Sequence, residues 1–229
     1  MSINLHYIDC MEFMSDKPDK HYPLSIVDPP YGINRSKNFG LAKFGWKQYK
    51  RSEWDNSIPP RQYFKELERV SVNQIIWGGN YFVRYLKPKM GWIFWDKMQT
   101  DFSTSDGELA YTSFDCKLRR IYLSRNESFL NNKGSLIHPT QKPVKLYEWL
   151  LKNYAKEGDK ILDTHGGSGS ICLACYNLGF DLDWCEIDKD YFDAAKNRFE
   201  KHKQKCDNKL FTTKWKDGNV EMKPNLKLF

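Results

Sequence analysis

The sequence predicts an α/β fold with a mostly parallel sheet, and three observations carry this prediction. Residues 160–199 follow the order strand, glycine-rich turn, helix, strand and helix, a βαβ unit in which both strands run in the same direction. Short apolar runs of strand length recur in the first half of the chain. The length of 229 residues suits one continuous core, so we expect a single domain over residues 1–229.

The first half of the chain opens its predicted sheet with the run 23–28 (PLSIVD). This run is apolar until it reaches Asp28, and the two prolines that follow cannot continue the hydrogen-bond ladder of a strand. Asp28 is therefore expected at the C-terminal end of a strand. Residues 61–70 are spaced as a helix. Further strands are predicted at 73–77, 91–95 and 116–123.

The second half begins with a helix that Pro143 can open, because the first helical position needs no N–H. Apolar residues then keep helical spacing until Gly158 breaks the pattern. A strand at 160–163 follows and leads into a glycine-rich turn at 166–169.

The helix after this turn is predicted at 171–178, and Gly179 is its expected stop. A strand at 182–187 follows, and Asp188 can cap the final helix. Residues 201–229 are polar, basic and only weakly periodic. We interpret them as a C-terminal extension and assign them no secondary structure.

The charge of the chain favours a polyanionic partner. The formal net charge is +7 and the pI is about 8.9, although many basic proteins do not bind nucleic acids. Basic residues in the segment 32–52 meet no acid and alternate with aromatic ones, which suits phosphates and unstacked bases. We predict a DNA-contacting loop there. Its candidate contacts are Arg35, Lys37, Lys43 and Lys47.

The sequence has no predicted export, membrane or disulfide feature. Residues 1–14 include acidic Asp9 and Glu12, unlike a secretory signal, and no apolar run reaches membrane-spanning length. A cytoplasmic location without a membrane partner is expected. The six cysteines lack a repeated spacing, and Cys172 and Cys175 fall in a predicted helix without further ligands. Buried helical cysteines are favoured over a metal or redox pair.

The glycine-rich turn is a candidate cofactor site. Residues 163–169 join a strand to a helix, where glycines let a ligand approach the backbone amides. Cys172 stands where a dinucleotide fingerprint would have glycine, which disfavours a nicotinamide cofactor. Glu186 ends the next strand and can accept both hydroxyls of a ribose. We prefer it to Asp188 for this role; a tight turn beside a surface acid is the alternative.

Three sequence blocks resemble a known family. Asp28-Pro29-Pro30-Tyr31 comes first, followed by 138–143 (HPTQKP) and then by the glycine-rich block from Asp163. In this order they resemble the permuted β class of amino-group DNA methyltransferases, and further blocks at 77–82 and 95–97 look like its small phage or mobile-element members. The similarity runs from residue 4 to about residue 202.

The resemblance implies a fold. It predicts a Rossmann-like S-adenosylmethionine-dependent methyltransferase fold with a seven-stranded type of sheet, mostly parallel and circularly permuted in motif order. The strands that end at Asp28 and Asp163 would then be neighbours at the switch point of the sheet, and their C-terminal ends would open on one crevice.

The resemblance also implies S-adenosylmethionine as the cofactor, with S-adenosylhomocysteine as its product. By matching blocks, the glycine-rich loop would line the methionine moiety, Glu186 the ribose, and Thr140 with Lys142 the amino-acid end. Asp9 matches an early acidic block that faces the adenine amino group, although a solvated acid is the alternative. The residues expected to bind the cofactor are Asp9, Cys10, Asp28, Thr140, Lys142, Asp163, Gly167, Ser168, Gly169 and Glu186. Thr164-His165 departs from the Pro-Phe that family members often have.

The expected reaction is methylation of N6 of adenine in double-stranded DNA. The catalytic residues are Asp28, Pro29, Pro30 and Tyr31: the carboxylate and the Pro29 carbonyl can accept the two amino hydrogens, and neither proline has an N–H to compete. Tyr31 offers a stacking face for a flipped base, with an ordinary core tyrosine as the alternative. Neither a metal nor a covalent enzyme intermediate is needed.

Target recognition is assigned to the region 113–137, with Arg119 and Arg120 as candidate contacts to bases or phosphates. Several alternatives stay open at this point: methylation of N4 of cytosine, an RNA substrate, or a catalytically silent nucleic-acid-binding module. Members of the class often dimerise and act in restriction-modification systems, so a homodimer is possible.

Overall fold

The computed structural model describes residues 1–33, 55–99, 105–124, 137 and 140–213, with side chains described up to residue 208. The strands found there are β1 (Ile3–Tyr7), β2 (Tyr22–Val27), β3 (Ser71–Trp77), β4 (Trp92–Asp96), β5 (Gly107–Thr112), β6 (Arg119–Tyr122), β7 (Lys160–Asp163) and β8 (Asp181–Glu186). The helices found there are α1 (Cys10–Ser15), α2 (Arg61–Val70), α3 (Val144–Tyr154), α4 (Ser170–Leu178) and α5 (Lys189–Thr213). A single 3₁₀ turn covers Gly79–Tyr81.

All eight of these strands form one sheet in the order β1-β8-β7-β2-β3-β5-β4-β6. Every neighbouring pair is parallel except those that involve β5, which is antiparallel to β3 and to β4. The predicted α/β class with a mostly parallel sheet is confirmed. The described sheet has one strand more than the seven-stranded type, and neither β1 nor β5 was predicted.

The two strands that carry the candidate motifs are neighbours, as predicted. Leu24 of β2 pairs with Ile161 of β7, and Ser25 pairs with Leu162. The chain order of the strands reverses at this pair, since β3 lies beyond β2 and β8 lies beyond β7. Parallel strands on either side of such a reversal leave a crevice at their C-terminal ends. Asp28 therefore faces the same crevice as the loop after Asp163.

Helices cover both faces of the sheet, which explains the continuous apolar runs of β2, β3 and β7. Leu24 and Ile26 of β2 pack in one core with α3, α4 and α5, whereas Val27 packs in a second core with α1 and α2. Cys172 and Cys175 are buried free cysteines on α4, in agreement with the helical interpretation. Among the described helices, none combines the length and the apolar character that a membrane crossing requires.

Most predicted elements lie within two residues of their observed bounds, and the larger differences are at 116–123 and after residue 200. The C-terminal extension at 201–229 was given no secondary structure, and α5 continues into it as far as Thr213. This stretch looked too polar to be held in place, but its inward side chains bond to α4: His202 pairs with Asn177 at 2.7 Å, and Tyr176 donates to Asp207 at 3.1 Å. The strand expected at 116–123 is shorter, since β6 covers only Arg119–Tyr122.

Candidate active site

A cleft of about 520 Å³ opens at the C-terminal ends of β2, β3, β7 and β8. It has the size of a pocket for a drug-sized ligand, for which roughly 300–1,000 Å³ is usual. Of the predicted site residues, those lining it are Asp9, Cys10, Asp28, Pro29, Pro30, Tyr31, Thr140, Lys142, Gly167, Ser168 and Glu186. Asp163 and Gly169 do not line it; Asp163 is buried at the end of β7, and Gly169 begins α4.

The Asp28 carboxylate is held by two donors at the mouth of the crevice. The Tyr31 hydroxyl donates to Oδ1 at 2.6 Å, and the Lys142 ammonium donates to Oδ2 at 2.5 Å. Lys142 reaches this point because its carbonyl accepts a 2.7 Å bond from the Ser170 hydroxyl at the start of α4. The segment before α3 is thus hydrogen-bonded to the start of the helix that follows the glycine-rich loop. Through Lys142, the block at 138–143 meets the Asp28 block at the Asp28 carboxylate.

Tyr31 is held in place by contacts with residues from other parts of the chain. Its ring stacks on that of Tyr81, with centroids 5.0 Å apart and planes 15° from parallel. Gly78 also lies against this ring, and an added Cβ there would lie 2.2 Å from it. The buried Asp55 carboxylate accepts the N–H groups of Tyr31 and Gly32 at 2.9 Å each. Neither Tyr81 nor Asp55 was assigned to the site: Tyr81 lies in the block 77–82, to which no role was given, and a single acid such as Asp55 carries no distinctive pattern.

Glu108 on β5 is another cleft residue that the sequence did not single out. Its two carboxylate oxygens face two ammonium groups: Lys97 Nζ lies at 2.8 Å and Lys142 Nζ at 3.1 Å. Burial alone would raise the pKa of Glu108, but Lys142 and Lys97 outweigh that effect and lower the pKa to about 2. Glu108 is therefore an anion beside the Lys142–Asp28 pair.

The glycine-rich loop is closed by Glu186, the acid predicted to bind a ribose. Gly167 donates its N–H to Glu186 Oε2 at 2.7 Å, and Asp188 donates its N–H to Oε1 at 2.8 Å. Burial raises the pKa of Glu186. A carboxylate has about four acceptor positions, so further acceptor positions exist for hydroxyl groups in the cleft. Asp188 caps α5 through bonds from the N–H groups of Asp190 and Tyr191, which confirms its predicted capping role.

Gly166 makes the close packing of this loop possible. A Cβ at this position would lie 1.8 Å from the indole ring of Trp184, which is fully buried. We expect Gly166→Ala to lower the free energy of unfolding by about 2–3 kcal/mol, as overpacking of a filled core does. Gly158→Ala is the matched control: it has open space within 4 Å but a φ of +83°, so it should cost about 1–2 kcal/mol. Urea denaturation of both variants measures this, and equal losses would contradict the role of Trp184.

Thr164-His165, the departure from the family pattern, forms a small buried network. The Thr164 hydroxyl contacts His165 Nδ1 at 2.9 Å and the Tyr63 hydroxyl at 2.7 Å. The His165 ring also meets the Tyr63 ring edge-on at 5.1 Å. Burial lowers the pKa of His165 to about 4, so its imidazole is neutral near pH 7. His165 lines the cleft as a neutral, packed group.

Asp163 and Asp9 lie near the glycine-rich loop and make different contacts. Burial raises the pKa of Asp163 to about 8, and the Asp28 and Glu186 carboxyl groups add to that shift. A protonated carboxyl can donate a hydrogen bond, whereas a carboxylate only accepts. Asp9 caps α1 by accepting the N–H groups of Met11 and Glu12 through Oδ1. It lines the cleft, so the cap role and the predicted cofactor role are compatible.

Only two of the predicted nucleic-acid contacts fall on described residues. Arg35, Lys37, Lys43 and Lys47 lie outside the described residues, as does most of the region 113–137 after residue 124. Arg119 and Arg120 are exposed on β6, at one edge of the sheet, and do not line the cleft. Arg120 pairs with Asp96 at 2.5 Å and lies 4.2 Å from the centre of the Tyr122 ring.

Sequence comparison relates the chain to type II DNA methyltransferases. M1.MboII of Moraxella bovis is 21% identical over 253 residues, which covers 83% of this chain and 94% of that protein. M.HpaI of Haemophilus parainfluenzae is 39% identical over 69 residues, or 30% of this chain. That second match spans only 22% of the length of M.HpaI.

Solved structures share the fold. M1.HpyAVI in complex with S-adenosylmethionine has a TM-score of 0.55 at 20% identity, covering 86% of this chain and 99% of that one. The cytosine-N4-specific PvuII DNA methyltransferase has a TM-score of 0.57 at 16% identity, covering 89% and 91%. TTHA0409 of Thermus thermophilus, also solved with S-adenosylmethionine, has a TM-score of 0.56 at 16% identity, covering 88% and 96%. The predicted Rossmann-like methyltransferase fold is confirmed.

A family model described as DNA methylase matches residues 76–197, more than half of the 229 residues. The match takes in β4 to β8 and the glycine-rich loop, and the Asp28 block lies before it. The family match, the fold and the position of the two motifs in one cleft all indicate a DNA methylase. The chain belongs to the DNA methylase family.

Proposed function

We propose that the chain is a site-specific DNA methyltransferase that methylates N6 of adenine with S-adenosylmethionine as the donor. The observation that carries the proposal is the position of Asp28 at the end of β2, in the same cleft as the glycine-rich loop and Glu186. An acceptor for an amino group and a candidate ribose ligand then lie on neighbouring parts of one crevice.

The lining of the cleft fits the cofactor. Gly166 has no side chain where Trp184 packs, so the loop backbone runs close to the sheet, and Gly166, Gly167 and Ser168 line the cleft. Glu186 supplies the acid for the ribose hydroxyls, and Ile187 and Tyr191 supply apolar surface beside it. When bound, S-adenosylmethionine supplies a methyl group on a positively charged sulfonium. We propose these contacts between the lining of the cleft and the cofactor.

The catalytic role of the site residues is to make the amino nitrogen of the base a better nucleophile. The lone pair of that nitrogen is delocalised into the base, and two fixed hydrogen-bond acceptors favour a more pyramidal nitrogen. The Asp28 carboxylate accepts one N–H and the Pro29 carbonyl accepts the other. The nitrogen must lose one proton as it gains the methyl group, and Asp28 is the acceptor in place to take it. Positioning is the main source of acceleration.

Tyr31 and Tyr81 are the proposed stacking surface for the flipped base. The two rings lie 5.0 Å apart, which leaves no room for a third ring between them. Tyr81 is 41% exposed on its 3₁₀ turn, whereas Tyr31 is fixed by its bond to Asp28. A base that enters the pocket therefore displaces Tyr81 or stacks beside it. Flipping from the duplex supplies the unstacked base.

N4 of cytosine is the second candidate target. The fold similarity to the cytosine-N4-specific PvuII enzyme favours it, and the amino-group chemistry is the same for both bases. Asp28, where a serine would favour cytosine by family resemblance, supports adenine.

The edge strand β6 is the proposed contact for DNA near the target base. We expect Arg119→Ala to weaken DNA affinity more than Arg120→Ala, because the Arg120 guanidinium is already paired with Asp96. Each lost phosphate contact should also lower the salt dependence of binding by about one unit of slope. Fluorescence anisotropy at several salt concentrations measures both effects. If the double variant keeps the affinity and slope of the parent, the recognition role is wrong.

The proposed activity is tested with purified protein, tritiated S-adenosylmethionine and two kinds of polymer. Unmethylated double-stranded DNA should accept the label, and RNA of random sequence should not. Modification-sensitive sequencing of DNA from cells that express the protein would then report the methylated base and its motif. Absence of transfer to any DNA would refute the proposal.

A further inference from the structure

Four charged side chains form a line that leads from the candidate catalytic carboxylate into the sheet. Asp28 Oδ2 lies 2.5 Å from Lys142 Nζ, which lies 3.1 Å from Glu108 Oε2. The other oxygen of Glu108 lies 2.8 Å from Lys97 Nζ. Both lysines are buried, and two carboxylates balance two ammonium groups. The line begins on the catalytic block and ends on β5 and the segment after β4.

Burying these four charged side chains costs free energy of folding unless each charge has a partner of opposite sign. Removing an ammonium or a carboxylate from water requires a good partner in the protein, and a buried charge that loses its partner is strongly destabilising. Lys142 has two carboxylate partners from different parts of the sheet, so its ammonium is held from both sides. Asp28 alone would leave that ammonium free to follow any movement of the carboxylate.

We propose that Glu108 is a positioning residue: with Lys97 behind it, Glu108 fixes the Lys142 ammonium, and through Lys142 it fixes the plane of the Asp28 carboxylate. Tyr31 holds one oxygen of that carboxylate and Lys142 holds the other. The acceptor positions that remain then point in a constant direction for the amino group of the base. This inference rests on the proposed function, because it concerns the same carboxylate.

The first test replaces Glu108 with glutamine, which keeps the shape and removes the charge. We expect single-turnover methylation of unmethylated plasmid DNA to slow on the order of 10- to 100-fold, as small misplacements of reacting groups do. Affinity for S-adenosylhomocysteine, measured by calorimetry, should change much less. Asp183→Asn is the matched control, since Asp183 is a buried carboxylate paired with Lys160 at 2.6 Å outside the cleft. Its turnover should equal that of the parent.

A second variant tests whether Glu108→Gln slows turnover only because it leaves a buried charge unbalanced. Lys97→Gln with Glu108→Gln removes one charge of each sign, so the fold keeps its charge balance while Lys142 still loses its second partner. We expect the same slow turnover as in Glu108→Gln.

The pH profile supplies a readout that a purely structural role would not move. Burial alone would lower the pKa of Lys142, but Asp28 and Glu108 more than offset it and the pKa is raised. Other titratable groups near it are Tyr31, whose hydroxyl lies 3.3 Å from Nζ, and, farther away, Asp163. Lys97 is paired with Glu108, and Tyr147 lies close to both Asp28 and Glu108. Without Glu108 the pKa of Lys142 should fall, and activity should be lost at lower pH on the alkaline side.

The outcomes separate cleanly. Slow turnover with near-normal cofactor affinity and a shifted alkaline limb supports the positioning role. Parent-like rate and pH profile in both variants, or a loss of cofactor affinity as large as the loss of rate, would overturn it. If the parent itself transfers no methyl group, the proposed function has failed rather than this inference.

Discussion

Asp28→Ala is expected to slow methyl transfer by about 10³-fold or more, which is the loss seen when an enzyme loses a group that acts directly on the reacting atoms. The carboxylate is the proposed acceptor of an amino hydrogen, and its neighbours Tyr31 and Lys142 donate to it rather than accept. A radiolabelled transfer assay measures the rate.

The fold should survive this change, since Lys142 keeps Glu108 as a partner. Calorimetric affinity for S-adenosylhomocysteine should therefore stay within a few-fold of the parent. Asp28→Asn is the closer comparison, because it keeps the shape but offers an N–H where the base offers another. Normal methylation by either variant would show that Asp28 is not the catalytic carboxylate.

Glu186→Ala is expected to weaken cofactor binding by about 100-fold, or ~2.8 kcal/mol. The proposed hydrogen bonding of the ribose hydroxyls to Glu186 would be lost, and a single hydrogen bond to a charged group is worth roughly 1.5–3 kcal/mol. The Gly167 and Asp188 N–H groups would also lose their acceptor, so the loop would lose its closure as well.

Calorimetry with S-adenosylhomocysteine measures the loss in Glu186→Ala. Glu157→Ala is the matched control, because Glu157 is exposed before β7 and does not line the cleft. Its affinity should equal that of the parent. Unchanged affinity in Glu186→Ala would refute the ribose role.

Local patterns were sufficient for most of the sheet. β2, β3, β4, β7 and β8 are apolar runs with clear stops, and they fall where they were predicted. The order of the motifs also placed β2 beside β7 correctly. β5 was missed because its run begins with glycine and glutamate and alternates little. Its place in the sheet depends on pairing with β3 and β4, which are distant in sequence.

Some residues of the candidate site could also be identified from local sequence patterns, and others could not. Residues that follow strands in recognisable blocks, such as Asp28 and Glu186, were identified from the sequence and line the cleft. Glu108, Lys97 and Tyr81 were not identified as site residues. Glu108 lies in no recognised block, and the blocks at 77–82 and 95–97 carry no spacing that assigns a role to Tyr81 or Lys97. Ion pairs such as Glu108–Lys142 leave no local spacing to detect. The extension of α5 past residue 201 was missed because a few long-range bonds to α4 hold a polar helix.

The most direct test of the central claim is the identity of the methylated nucleoside. DNA treated with the purified protein and S-adenosylmethionine is digested to nucleosides and examined by mass spectrometry. The Asp28 block predicts N6-methyldeoxyadenosine, which should be absent when Asp28→Ala is used. N4-methyldeoxycytidine as the sole product, or no methylated nucleoside at all, would contradict the proposal.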